Sequence, residues 1–302
     1  MTTLTSPSPS IKPITPLIPK RQRRPLELAV RRLFSNPSTV IGLILVLAAL
    51  GCAIFAPLIS PYDPIKGDLK NLYVTPPSTL HVFGTDDIGR DILSRVIYGA
   101  QISLKLAIAA QTIGLVIGLT IGLITGYFGG WVDTIIMRLV DIVMAFPLLI
   151  IAIALIGILG SSEINIIFAL GLVSWTVIAR IVRSQVLSIK QTEYVTAARS
   201  LGATDFTIIV RHILPNILAP VIVYMTLGIG GVILAEASLS FLGLGAAQQA
   251  TPSWGKMLTE SRAFIRSAWW MPFFPGLAIL LTVMGFNLLG DGLRDALDVR
   301  SK

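Results

Sequence analysis

The sequence predicts an all-α integral membrane protein with six transmembrane helices. Three observations carry this. Of 302 residues, 54% are hydrophobic and only 13% are charged, where a soluble domain carries about 25% charged residues. The mean hydropathy is +0.79. Six apolar runs, each about the 20 residues a helix needs to cross hydrocarbon, alternate with polar segments.

Charge sets the expected topology. The net charge is +8, and Lys and Arg gather on the cytoplasmic side of membrane spans. No basic patch with interleaved aromatics suggests nucleic-acid binding. Cys52 is the only cysteine, which excludes an internal disulfide and a Cys-based metal site. His81 and His212 lie far apart, so no metal site is expected.

Residues 1–37 form a basic, partly disordered tail. Lys12, Lys20, Arg21, Arg23, Arg24, Arg31 and Arg32 face a single acid, Glu27, which places the N-terminus in the cytoplasm. Residues 38–100 hold the first span, about Thr39 to Leu58, and an outer segment. That span is too long and starts too late for a signal peptide. In the outer segment, Thr85 or Asp86 can cap a short amphipathic helix on which Ile88, Ile92, Val96 and Ile97 share a face.

Residues 101–302 form the core, with five further spans. Span two runs about Leu104 to Tyr127. Its Gly114, Gly118, Gly122 and Gly126 recur every four residues on one helix face, the pattern that lets a second backbone approach closely in lipid. Span three, about Ile135 to Leu159, pairs Arg138 with Asp141 at i, i+3 and is kinked at Pro147. Span four runs about Ile164 to Val182 and ends among Arg180, Arg183 and Lys190. Span five runs about Asn216 to Ala237, with Glu236 near its outer end. The loop 238–270 carries Trp254, Trp269 and Trp270, suited to a headgroup belt. Span six runs about Pro272 to Leu289, and the C-terminal tail is cytoplasmic.

The segment Glu193–Pro215, EYVTAARSLGATDFTIIVRHILP, is the longest polar interruption in the apolar second half. Tyr194, Ala197, Ala198 and Leu201 fall at i, i+3, i+4 and i+7, one apolar stripe on a short helix. Gly202 follows where a helix end favours a left-handed residue. Asp205 can cap a second helix, which Leu214-Pro215 should stop. A stripe of alanines inserts weakly into lipid, so a protein groove is the expected partner.

This segment resembles the EAA loop of bacterial ABC importer permeases. Ala197, Ala198, Gly202, Leu214 and Pro215 match that pattern in register. Thr196 stands where the family has Glu, and His212 where it often has Ile; Glu193, one turn earlier, offers a charge nearby. The blocks GTDDIGRDILSRVIYGAQISL (84–104), EASLSFLGLG (236–245), PSWGKML (252–258) and NLLGDGLRDALD (287–298) resemble the C-type permease subunit of dipeptide and oligopeptide importers.

The resemblance implies the type I importer permease fold in a bacterial inner membrane. It also implies a second homologous permease subunit, two cytoplasmic ATP-binding subunits, an extracytoplasmic substrate-binding protein and surrounding lipid. The 193–215 loop would couple to the ATPases. ATP and Mg would sit in those subunits, and this chain would bind no cofactor and be no enzyme. No GxxxxGK[ST] phosphate loop is present, nor an HExxH or GxSxG motif. A carrier or channel would need a pore or ion-coupling charges at mid-membrane, and the central thirds of the six spans show almost none. Trp175, Glu236 and Asn287 are candidates for the translocation path. The expected cargo is a di- or oligopeptide; nickel or another small solute is the alternative.

Overall fold

The computed structural model describes residues 32–67, 74–245 and 252–297. Most of the basic tail and the last five residues lie outside them. The described residues are helical apart from turns and an isolated β-bridge between Thr85 and Asp91.

α1, Pro37–Ile59, starts at the N-cap Asn36, whose side chain accepts from the Ser38 N–H. α2, Ile92–Phe128, is a single rod about 55 Å long. α3, Gly130–Met144, and α4, Leu148–Leu159, are bent 89° from each other. α5 is Glu163–Lys190 and α6 is the short helix Glu193–Ser200. α7 spans Asp205 to Leu244, with a kink at the left-handed Gly243 near its end. α8, Trp254–Glu260, and α9, Trp270–Leu297, complete the fold.

Among the described residues, five helices (α1, α2, α5, α7 and α9) are long and apolar enough to cross a membrane, and the bent α3–α4 pair can serve as a sixth pass. The kink at Pro147 is thus a full break. Proline lacks the N–H that would continue the ladder and pushes its predecessor out of helical geometry, and Pro147 takes the N-cap position of α4 instead.

The glycine face of α2 packs on α5. A Cβ at Gly118 would lie 2.7 Å from Ile178 Cβ, at Gly122 2.6 Å from Val182 Cβ, and at Gly126 2.7 Å from Val186 Cβ; at Gly114 it would meet Ser174. The partners also recur every four residues, so two i±4 rows run together and the backbones nearly touch. α1 and α9 approach similarly where Gly42 meets Leu288 and Leu289, and Gly292 meets Thr39. The start of α1 and the end of α9 therefore share one end of the bundle.

The segment before α2 differs from expectation. No helix begins at Thr85 or Asp86. Asp91 is the N-cap, accepting from Ser94 N at 2.8 Å. Asp86 is held in a tight loop, accepting from the backbone N–H groups of Ile88 and Arg90, from Arg90 Nε at 2.6 Å, and from Arg95 Nη1. Those four donors satisfy its carboxylate better than one helix start could. Glu260 on α8 accepts from Arg95 Nη2 at 2.6 Å and Arg90 Nη2 at 3.2 Å. This latch ties α8 to the start of α2, and Arg95 within it is only 2% exposed. Asp86→Ala is expected to cost about 3 kcal/mol, the low end for stripping one partner from a buried charge, because Glu260 remains. The thermal midpoint in detergent reads the loss.

The tryptophans are not a headgroup belt. Trp254 and Trp270 are buried, donating from Nε1 to Val96 O at 2.9 Å and Thr85 O at 3.2 Å; of the three tryptophans in this loop, Trp269 alone is exposed. The loop folds back onto the bundle through α8, which carries Trp254 inward. Asp141 likewise pairs across helices, with Arg180 on α5 at 2.5 Å rather than with Arg138, and Asp133 pairs with Arg183 at 2.5 Å. Two such bridges join α3 to α5, where partners from different helices can meet head-on.

Candidate functional site

The 193–215 segment sits at the end of the bundle where α2 and α5 finish. α6 closes with the two hydrogen bonds of a Schellman cap: Gly202 N–H to Arg199 O at 3.0 Å and Ala203 N–H to Ala198 O at 3.1 Å. Gly202 takes φ +84°, the left-handed conformation glycine adopts freely. The next N-cap is Thr204, one residue before the expected Asp205; its Oγ1 accepts from Thr207 N at 3.3 Å.

Asp205 is free of capping because it has another partner. Tyr127, at the end of α2, donates its hydroxyl to Asp205 Oδ1. Arg199 Nη2 donates to the same phenolic oxygen at 3.2 Å, and Lys190 Nζ donates to the Tyr127 carbonyl. Both cations also lie over the Tyr127 ring, 5.5 and 5.7 Å from its centroid. The Tyr127 hydroxyl holds the Arg199 guanidinium above its ordinary pKa, so it stays charged. Below this polar node, Val195, Ile208, Ile213 and Ile217 are buried against Tyr127, Ile178, Val182 and Val186. The segment is therefore bolted to three spans at once.

Pro215 does not stop the second helix. Ile208–Ile213 is a π-turn, and Leu214 N–H bonds Ile209 O, five residues back. The wider turn gives the proline ring room beside the carbonyls it would otherwise strike. Pro215 thus falls in the first turn of the Leu214–Leu239 stretch, where its missing N–H costs little.

The outer face of the segment is apolar. Leu201 is 88% exposed, Phe206 75% and Tyr194 45%, with Ala197 exposed beside them. Ala198 is half-buried, so three members of the expected stripe face out and the fourth leans inward. Glu193 and Thr196 are exposed, Thr196 donating only to the Thr192 carbonyl of its own helix. His212 is half-buried with its ring 6.4 Å from that of Tyr194; Leu214 is half-buried and Pro215 exposed. Sequence reasoning missed Tyr127, Lys190, Val195, Arg199 and Phe206. A tyrosine ending an apolar run reads as an interfacial anchor, and only the fold brings Asp205 to it. Tyr127→Phe is expected to loosen the segment by about 1–2 kcal/mol, the value of a hydrogen bond to a partly solvated charge. Faster amide hydrogen exchange across 193–208, with α2 unchanged, would show it.

The expected path residues are not brought together. Trp175 is buried against Val140 and Ala179. Glu236 is buried, its Oε1 accepting from Ser240 Oγ at 2.8 Å and Ser253 Oγ at 3.0 Å, so it fastens the loop before α8 to α7. Asn287 is exposed on α9. None of them lines either of two adjoining cavities beside α7. One, of about 340 Å³, is lined by Gln111, Ser174, Tyr224, Leu227, Gly228 and Gly231, among others. The other, of about 400 Å³, shares Tyr224 and Leu227 and reaches Gln185 and Arg294.

The family described as binding-protein-dependent transport system inner membrane component matches residues 118–302. A second pattern, described as the N-terminal TM domain of oligopeptide transport permease C, matches residues 24–77. The chain is 45% identical over 278 residues to the dipeptide transport system permease protein DppC of Alkalihalophilus pseudofirmus, spanning 92% of this chain and 91% of that one. It is 47% identical over 289 residues to the glutathione transport system permease protein GsiD of Escherichia coli O157:H7, spanning 95% of each. Among solved structures, an inward-facing MetNI methionine ABC transporter matches with a TM-score of 0.54 at 21% identity, over 68% of this chain and 97% of that one; at that identity the likeness concerns the fold.

Proposed function

The chain belongs to the family of binding-protein-dependent transport system inner membrane components, and from that membership we propose that it is the permease subunit of an ATP-driven importer of short peptides. The relatives named for dipeptide and glutathione transport support the cargo. The chain sits in the bacterial inner membrane with both ends and the 193–215 segment in the cytoplasm, as the positive-inside rule favours. It works with a second permease subunit, two ATP-binding subunits and an extracytoplasmic binding protein. ATP and Mg belong to the ATP-binding subunits, and this chain performs no chemistry of its own.

One observation carries the coupling role. The 193–215 segment presents Tyr194, Leu201 and Phe206 outward while its other side is bolted to α2, α5 and α7 through Tyr127 and Val195. An exposed apolar patch on a polar end suits a partner groove. A rigid mount lets movement of that partner pass into the spans, a two-state bias supplied by contacts alone. The test is co-expression with the ATP-binding subunits from neighbouring genes. They should co-elute in mild detergent, and Phe206→Asp with Leu201→Asp should release them. Absence of co-elution with the wild-type chain would favour a carrier. Reconstituted vesicles should accumulate labelled dipeptide on ATP; accumulation of nickel instead would overturn the peptide assignment.

A further inference from the structure

The cavity of about 340 Å³ falls in the range of small-ligand sites, and one polar group in its wall lacks a partner. Gln111 projects from α2, is only 2% exposed, and its Oε1 has no hydrogen-bond partner among the described residues. Its amide lies against α7 at Gly228, where a Cβ would come within 2.6 Å of Gln111 Cδ. A side chain at 228 would displace that amide, and glycine leaves it room. Ser174 on α5 spends its proton on its own helix, donating to Gly171 O at 3.1 Å. Gly231 opens the wall further, since a Cβ there would meet nothing within 4 Å. The rest of the lining is mainly apolar.

An unpaired buried amide oxygen costs about 1–3 kcal/mol. Polar groups within spans face the bundle interior or a cavity rather than lipid, and this one lies in a cavity wall. The ligand should bring an amide of its own together with apolar groups that suit the walls. The shared Tyr224 and Leu227 connect this cavity to the second one, whose far side holds the exposed Arg294.

We propose that Gln111 is a substrate-contacting residue whose side-chain amide pairs with a backbone amide of a short peptide held between α2, α5 and α7, on its way to the Arg294 side. This rests on the short-peptide reading given above. It moves the path away from Trp175, Glu236 and Asn287, onto residues that face a shared space.

The test uses the full transporter with its partner subunits in vesicles, measuring labelled dipeptide uptake against concentration and ATP hydrolysis in parallel. Gln111→Met keeps the length and removes the amide. Losing one hydrogen bond should raise KM about tenfold. The maximal rate and basal ATP hydrolysis should stay within about twofold, and the thermal midpoint should not fall. A merely structural glutamine, or one that a partner side chain satisfies, would lower the midpoint and leave KM unchanged. Either an unchanged KM or a KM rise accompanied by a lowered midpoint overturns the assignment. Should that variant not fold, Gly231→Val narrows the cavity from the other side. Uptake of a Trp-containing dipeptide should then fall more than uptake of Gly-Gly, and equal effects on both overturn the proposal. A wild-type transporter that moves no peptide would sink the peptide reading itself. A wild type that transports peptide alongside an unaffected Gln111→Met would sink only the role of Gln111.

Discussion

Gly122→Leu should abolish the folded subunit or sharply lower its thermal midpoint. The added Cβ would lie 2.6 Å from Val182 Cβ and 2.7 Å from the Ala179 carbonyl oxygen. The second of these is backbone within a helix and cannot swing aside. The α2–α5 contact must then open, and the neighbouring Gly118 and Gly126 contacts open with it. Overpacking costs about 1–3 kcal/mol where side chains can adjust; here about 3 kcal/mol or more is expected because they cannot. Gly51→Leu is the control. A Cβ there meets nothing within 4 Å, and replacing a helical glycine gains up to about 1 kcal/mol. Size-exclusion profiles after a heating series, run on both variants, decide the matter. Equal midpoints would remove the close seam as a source of stability.

Gly202→Val should leave the bundle folded and remove coupling. At φ +84° a β-branched residue is strained by about 1–3 kcal/mol. Space is not the difficulty, since no atom lies within 4 Å of a Cβ there. The strain is relieved if α6 and the start of α7 change their mutual angle, which carries Leu201 away from Phe206. Peptide uptake per ATP hydrolysed should fall at least about tenfold, roughly the 1.4 kcal/mol that such strain supplies, with the thermal midpoint little changed. Gly202→Asn should keep most of the uptake, because asparagine tolerates the left-handed region. Normal transport by the valine variant would show that the turn does not set the coupling geometry.

How far the fold could be read from the chain depended on the range of the interaction. The spans were legible because each is a local property, about 20 apolar residues long. The Gly114–Gly126 register was legible because four small residues on one face have a single common use in lipid, and Gly202 because a helix end calls for a left-handed residue. Features that depend on a distant partner were not. Asp141 looked satisfied by Arg138 three residues away, yet Arg180 meets it from another helix at 2.5 Å. Asp205 looked like a cap, but Tyr127 claims its carboxylate and Thr204 caps in its place. Asp86 was misread for a different reason: its donors on Ile88, Arg90 and Arg95 are close in sequence, but they close a tight loop that competes with a helix start. Gln111 gave no signal at all. An amide in an apolar run is ordinary until its surroundings show that nothing in the chain answers it.

The π-turn at Ile208–Ile213 has a consequence for how the chain tolerates insertion and deletion. Such a turn holds one residue more than the α-helix it interrupts. Removing a single residue there would restore regular winding and leave the turns on either side near their present bearings, because the wide turn closes one circuit with the extra residue inside it. Removing a residue from the α-helical stretch between Leu214 and Gly228 would instead rotate Phe206 by about 100° relative to the cavity wall at Gly228 and Gly231. The azimuth between the two ends of this rod, more than its length, is what the segment specifies.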